Sequence, residues 1–208
     1  RMDYALGVPD DMRTLVVIPT MILNPGNVDE LLEALEVRFL GNRQAQVHFA
    51  LLTDFRDAAT PTLADDDALL LRTRNGIEAL NAKYPGTTNS FLLLHRARRW
   101  NPTDGLWMGY ERKRGKLADL NAALRGQGPE RFALIVGDLA QLAPIRFVIT
   151  LDTDTELPRD AARALIGVMA HPLNRPRFCA RRNRVDAGYG ILQPRMAASL
   201  AGAQRSRY

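Results

Sequence analysis

Short apolar runs rich in β-branched residues alternate along this chain with segments of helical periodicity. That alternation limits the fold more than any other feature of the sequence. Residues 14–19 (Thr-Leu-Val-Val-Ile-Pro) read as a buried strand ended by proline. Asn24-Pro25-Gly26-Asn27 reads as a turn. Asn27 or Asp29 then caps a helix whose apolar side is Leu31, Leu32, Leu35 and Phe39 and which Gly41 closes. Residues 47–53 form a second strand, followed by Asp54. Asp65, Asp66 and Asp67 open a second helix, acidic where the helix dipole favours it, that runs to Tyr84 and stops at Pro85-Gly86. Residues 91–94, 133–136 and 146–151 read as further strands, 116–124 as a short helix, 158–169 as another helix and 191–193 as a late short strand. This β-α-β-α-β order predicts an α/β fold: a mostly parallel sheet with helices on both faces.

A chain of 208 residues can enclose a substantial core, and residues 1–208 read as a single domain without internal repeats. With 46% hydrophobic and 25% charged residues it has the composition of a soluble globular protein. No uncharged run approaches the roughly 20 apolar residues of a membrane span, and the first residues lack the apolar centre of a signal peptide. The chain opens on Arg1 and ends on Arg205-Ser206-Arg207-Tyr208, which reads as a piece of something longer. The lone Cys179 excludes an internal disulfide and a thiolate metal cluster, and reads as a small buried hydrophobe. His48, His95 and His171 have no metal-ligand spacing. The net charge of +5 is concentrated: Arg96, Arg98 and Arg99 precede Arg112, Lys113, Arg114 and Lys116, and Arg181, Arg182 and Arg184 form a second group. Such clusters suit phosphates, nucleic acid or an acidic membrane surface, or else form a solvated face. No zinc-finger, zipper or RNA-recognition signature accompanies them.

The chemistry concentrates in residues 147–158, Phe-Val-Ile-Thr-Leu-Asp-Thr-Asp-Thr-Glu-Leu-Pro. An apolar run that reads as a buried strand delivers Asp152 and Asp154 to its carboxyl end, the edge where open α/β sheets bind ligands. Two carboxylates at alternate positions there can hold a hard divalent cation, and through it a diphosphate. A phosphatase of the haloacid-dehalogenase type also uses Asp-x-Asp after a strand, but Glu156 stands where that motif has Thr or Val. Asp54, ending the second strand, can accept hydrogen bonds from a base or ribose, or serve as a turn residue beside Arg56 and Asp57. Thr20 ends the first strand, where its backbone can meet a base. Residues 97–115 form a long loop rich in Arg, Trp and Gly, a length usually reserved for function or disorder. The run Arg112-Lys113-Arg114-Gly115-Lys116 enters the short helix there, so backbone amides and Lys116 can bind a diphosphate, although the P-loop pattern is missing. Trp100 and Trp107 in the same loop either stack on a sugar or base or pack the loop's own core.

These residues resemble a known family. Val-Val-Ile-Pro-Thr (16–20), the Lys-x-x-x-x-Asn of Lys116 and Asn121, and Leu-Asp-Thr-Asp-Thr (151–155) look like processive GT-A glycosyltransferases. Three longer stretches resemble the glycosyltransferase domain of cyclic β-1,2-glucan synthases. They are Arg-Arg-Trp-Asn-Pro (98–102) with residues 107–116; Thr-Leu-Asp-Thr-Asp-Thr-Glu-Leu-Pro-Arg-Asp (150–160) with Met-Ala-His-Pro-Leu-Asn (169–174); and Gly-Tyr-Gly-Ile-Leu-Gln-Pro-Arg (188–195). The resemblance implies a GT-A fold, truncated at its C-terminus, cut from a large enzyme embedded in the bacterial inner membrane with this domain on the cytoplasmic face. It implies UDP-glucose as donor, Mg²⁺ or Mn²⁺ as cofactor, a growing β-1,2-glucan as acceptor, an inverting transfer and no nucleic-acid partner. It sets Asp54 near the uridine, Lys116 and Asn121 near the diphosphate, and Asp152 and Asp154 at the ribose and metal. Relatives carry the general base and an acceptor-side Gln-x-x-Arg-Trp motif on later segments that residues 195–208 do not match, so this chain alone is expected to be inactive. The competing reading is a basic, non-catalytic module docking on acidic membrane or nucleic acid, whose binding would fall with salt and ignore Mn²⁺.

Overall fold

A computed structural model describes residues 1–85, 90–139 and 144–195. The chain divides into two compact units, Asp3–Ile166 and a smaller one made of Arg1–Met2 with Gly167–Tyr208. In chain order the larger unit contains β1 (Thr14–Ile22), α1 (Pro25–Gly41), β2 (Val47–Phe55), α2 (Asp66–Lys83) and β3 (Phe91–Arg96). The short β4 (Arg99–Asn101) and β5 (Leu106–Met108) come next, then α3 (Arg112–Ala123), β6 (Leu134–Val136) and β7 (Phe147–Thr150). A last helix, α4 (Ala161–Met169), comes after them.

Five strands make one sheet in the order β6-β3-β2-β1-β7. β3, β2, β1 and β7 are parallel, and β6 is antiparallel to β3. The period-2 geometry of a strand divides the apolar side chains between two faces. Val16, Ile18, Phe49, Leu51, Phe91 and Leu93 pack with Leu31, Leu35 and Phe39 of α1, Ile77 and Leu80 of α2, and Ala162 and Ile166 of α4. Leu15, Val17, Ala50, Leu52, Leu92 and Leu94 pack on the other face with Leu120 and Ala123 of α3 and with Phe132. This is the α/β architecture, with helices on both faces, that the alternation requires.

The order has a functional consequence. Successive strands β1, β2 and β3 add in one direction, and the chain then returns to place β7 on the opposite side of β1. A crevice forms at such a switch point, outside the carboxyl ends of β1 and β7.

Several local expectations are corrected. Pro19 does not end β1, which continues to Ile22 and pairs with β2 along all nine residues. The Val17 carbonyl accepts from Leu151 N–H at 3.0 Å, so Val17 and, two residues on, Pro19 turn their backbone toward β7. β7 has ended by then, and the missing proline N–H costs no ladder bond. β7 itself is the sheet edge: Phe147, Val148 and Ile149 are half-buried and Thr150 is exposed, where a buried strand was expected. Helix α1 is capped by Asn24, whose side chain accepts from Asn27 N–H at 2.9 Å. Pro25 is preset for the first helical position, so the residue before it becomes the cap, and Asn27 turns its own oxygen back to Leu23 N–H at 3.1 Å. Helix α2 ends at Lys83, and the expected stop at Pro85-Gly86 lies partly outside the described residues, at Gly86.

The 97–115 segment is not an irregular loop. β4 and β5 pair as an antiparallel hairpin, and Trp107 exchanges two backbone hydrogen bonds of 2.9 Å with Ala58. In the smaller unit, β8 (Arg177–Cys179) and β9 (Arg184–Ala187) form a second hairpin carrying a half-buried Cys179. Residues 191–193, expected as a strand, are irregular and exposed. No helix among the described residues is long and apolar enough to cross a membrane.

Candidate functional site

Register alone brings together the first group of charged residues. Asp54 and Arg96 are direct partners across β2 and β3, and both have the even-numbered parity that faces α3. Arg96 donates to Asp54 through Nε at 2.9 Å and Nη2 at 3.1 Å, a bidentate pair. Its Nη1 reaches Asp119 on α3 at 2.8 Å, and Arg131 donates to the other Asp119 oxygen at 3.0 Å. Lys116, one turn before Leu120 on the inner side of α3, sets its Nζ 2.8 Å from Asp54 Oδ2 and 2.6 Å from the Thr20 carbonyl. Asp54, Arg96 and Lys116 are all buried.

Burial alone would lower the Arg96 guanidinium, but Asp54 and Asp119 outweigh it and hold Arg96 more firmly protonated. Burial pushes the Asp119 carboxyl up, and Arg96 with Arg131 more than reverses that. The Lys116 ammonium lies below its ordinary value because burial exceeds what Asp54 returns. The chain closes over this cluster at Gly109, where an added Cβ would collide with the Asp54 carboxylate. Arg96 Nη2 also donates to the Tyr110 and Arg112 carbonyls at 3.1 and 3.3 Å. The intervening turn bends through left-handed φ values of 50° at Glu111 and 47° at Arg112, an uncommon conformation for such residues. Helix α3 therefore starts four residues before Lys116, and Lys116 belongs to its second turn, not to its amide-bearing start.

On the opposite face, odd-numbered Thr53, Phe55 and His95 meet. Thr53 Oγ1 lies 2.8 Å from His95 Nδ1, while His95 Nε2 is buried without a hydrogen-bond partner. Burial lowers His95 to about 4. Beside it Arg98 lies 4.9 Å over the Phe55 ring, pairs with Asp66 at the start of α2, and donates to the Arg56 carbonyl at 2.6 Å. Arg96 and Arg98 are thus internal ties. Their place in a basic run suggested a surface for anions, yet both lie inside, each with a carboxylate partner.

The β7 end differs. Asp152 and Asp154 lie just past the strand on an exposed turn, in which Thr155 N–H bonds the Asp152 carbonyl at 3.0 Å. Lys113, in the first turn of α3, forms an exposed ion pair with Asp152. No group of three or more His, Cys, Asp or Glu side chains able to hold a metal occurs among the described residues.

The expected residues therefore separate. Thr20, Asp54 and Lys116 are joined by direct contacts, and Asp152 is joined to α3 through Lys113. Asp154 is exposed next to Asp152. Asn121 is exposed and is not part of the Lys116 cluster, since the buried side of α3 is Lys116, Leu120 and Ala123. Trp100 is half-exposed and tilted against Trp107, ring centroids 6.0 Å apart. Sequence reasoning missed Arg96, Asp119 and Lys113 as members of the constellation. Arg96 was the detectable one: it stands at the strand's end, two residues beyond Leu94, on the parity of Asp54.

No family model matches this chain. Across 211 aligned residues, 99% of its length, it is 43% identical to the cyclic beta-(1,2)-glucan synthase NdvB of Rhizobium meliloti (strain 1021), of which it spans 7%.

Proposed function

We propose that this chain is the donor-binding part of a GT-A-type glucosyltransferase acting in cyclic β-1,2-glucan synthesis, one that uses UDP-glucose with Mg²⁺ or Mn²⁺ and transfers with inversion. One observation carries the reading. A chain 43% identical over nearly its whole length to a cyclic glucan synthase sets an acidic pair and a cationic helix start against each other at the switch-point edge of a parallel sheet.

Asp152 and Asp154 suit the metal as the protein's part of a coordination shell. Both are exposed oxygen donors on one turn, and no third acidic or histidine ligand joins them among the described residues. Magnesium-type sites commonly have this composition, with substrate phosphates and water supplying the remaining ligands. The cation, when bound, supplies charge relief on the leaving diphosphate. Lys113 would release Asp152 and turn to the phosphate oxygens. The Thr20 backbone lines the nucleoside side, Asp54 holds that wall from within through Lys116, whose ammonium also bonds the Thr20 carbonyl, and Asn121 approaches the diphosphate only from the outer side of α3. The general base and the glucan-binding surface belong to other parts of a membrane-embedded synthase, with this portion at the cytoplasmic face. The isolated chain then binds donor without transferring sugar.

The test is calorimetric titration of UDP-glucose into the chain with Mn²⁺, with EDTA, and with Asp154→Asn. Binding that needs the metal and disappears in the variant supports the reading. Equal binding in EDTA, or none by a chain shown to be folded, overturns it.

A further inference from the structure

The buried side of α1 and its C-cap contain two residues that do not belong to an apolar stripe. Val28, Leu31, Leu35 and Phe39 are buried at helical spacing, and Arg38 and Asn42 are buried with them, at 7% and 2% exposure. A long cation is rarely placed so deep without partners. Here the partners are the backbone carbonyls of the segment that carries Asp152 and Asp154. Arg38 Nη2 donates to the Thr153 and Thr155 carbonyls, each at 2.8 Å, and Nε donates to the Thr155 carbonyl at 3.2 Å. Asn42 Nδ2 donates to the Leu157 and Pro158 carbonyls at 3.2 and 3.1 Å, and its Oδ1 accepts from Ala162 N–H at 2.9 Å. The Gly41 carbonyl accepts from Asp160 N–H at 2.9 Å. The C-terminal end of α1 thus grips residues 153–162 at successive backbone groups, leaving the Asp152 and Asp154 carboxylates exposed.

We propose that Arg38 is a positioning residue for the Asp152–Asp154 turn, with Asn42 as its second anchor. This rests on the reading of those carboxylates as the cation site. The same groups also explain how three acidic residues tolerate one another when no cation is present. Burial lowers the Arg38 guanidinium, and the charges of Glu156 and Asp154 act back on it in the opposite sense. The buried charge of Arg38 offsets repulsion within the turn while its planar fork fixes the carbonyls, something a lysine point charge does less well.

Two readouts on the whole chain test this. Hydrogen exchange of peptides spanning 152–160, without metal, is compared among the unsubstituted chain, Arg38→Ala, Arg38→Lys and the control Arg72→Ala, whose parent Arg72 pairs with Asp29 on the surface. Mn²⁺ affinity is then measured on the same samples from the electron paramagnetic resonance signal of the free ion. Outer groups that orient metal ligands typically change affinity by about 10–100-fold. The expected result is selective loss of protection in 152–160 and about a tenfold or greater loss of Mn²⁺ affinity in Arg38→Ala, with partial recovery in Arg38→Lys and none of this in Arg72→Ala. Unchanged exchange in a folded Arg38→Ala chain overturns the proposal, as does Mn²⁺ affinity equal to that of the unsubstituted chain. Should Arg38→Ala unfold, Arg38→Lys alone decides by the same two readouts. If the turn loosens in Arg38→Ala but the unsubstituted chain binds no Mn²⁺, the cation-site reading fails and the positioning role falls with it, whereas Mn²⁺ binding lost in Asp154→Asn but kept in Arg38→Ala overturns the positioning role alone.

Discussion

Two groups of carboxylates stand at the same edge of the same sheet and have opposite circumstances. Asp54, at the end of β2, is buried and satisfied by Arg96 and Lys116. Asp152 and Asp154, past the end of β7, are exposed, and the partner of Asp152 is the exposed Lys113. The cause is topological. β2 lies inside the sheet, with β1 and β3 beside it and α3 over it, so a charge at its end is enclosed and must be paired. β7 is an edge strand, and the acidic turn after it is gripped through its backbone by the end of α1. Enclosed charge fixes shape, and open charge is free to exchange partners, as a ligand site requires.

The largest effect that would break this contrast comes from Asp54→Asn. The variant leaves Arg96 and Lys116 as buried cations without their shared anion, a loss that typically costs about 3–5 kcal/mol. Urea unfolding should show it plainly, while Asp154→Asn changes stability by no more than about 0.5 kcal/mol, as surface substitutions usually do. Similar losses in the two variants would erase the distinction between an enclosed and an open end.

His95 sharpens the same contrast through pH. It lies on the enclosed half of the edge, with no exposed surface, and burial lowers it from 6.5 to about 4. Between those values the unfolded chain binds a proton that the folded chain refuses, so stability falls as pH drops from about 6.5 to about 4 and is fully present above that window. A displacement of this size corresponds to on the order of 3 kcal/mol. Asp66 and Asp119 are held below the usual carboxylate range, so their contributions are lost only as pH falls further, through that depressed range. Urea midpoints from pH 7 to 4.5 should therefore decline in the unsubstituted chain and stay flatter in His95→Asn. Equal slopes would show that His95 is not what couples this face to protons.

The same contrast separates what the sequence revealed from what it did not. The sheet and its helices were legible because each core strand is an uninterrupted apolar run and each major helix has a periodic apolar side. The placement of Asp152 and Asp154 past the end of a strand was legible because they come directly after such a run. The enclosed cluster was not, because Asp54 and Arg96 are 42 residues apart and meet only through strand register. Arg96 and Arg98 also sit in a run of arginines that composition assigns to the surface. The hairpin of β4 and β5 was hidden by its brevity, since three-residue strands leave no period to read. Arg38 was hidden by its type: a charge at a buried position of α1 shows its purpose only when the carbonyls it holds are in view.

The smallest effect belongs to the open end. The pair of Lys113 and Asp152 leaves 49% and 59% of the two side chains exposed, and such pairs contribute about 0.2–1 kcal/mol. Lys113→Ala should therefore leave the urea midpoint nearly unchanged. If the proposed cation site holds, it should tighten Mn²⁺ binding, by at most about fivefold on that same energy scale, because an ammonium competing for Asp152 is gone. Raising the salt concentration should shrink the gain, since exposed charges are screened. On the proposed donor reading the sign should reverse with UDP-glucose and Mn²⁺ together, because the phosphate oxygens would lose a cation that the metal does not replace. A large stability loss in Lys113→Ala would instead make the bridge a structural tie like that of Arg96, and the β7 end would no longer differ in kind from the β2 end.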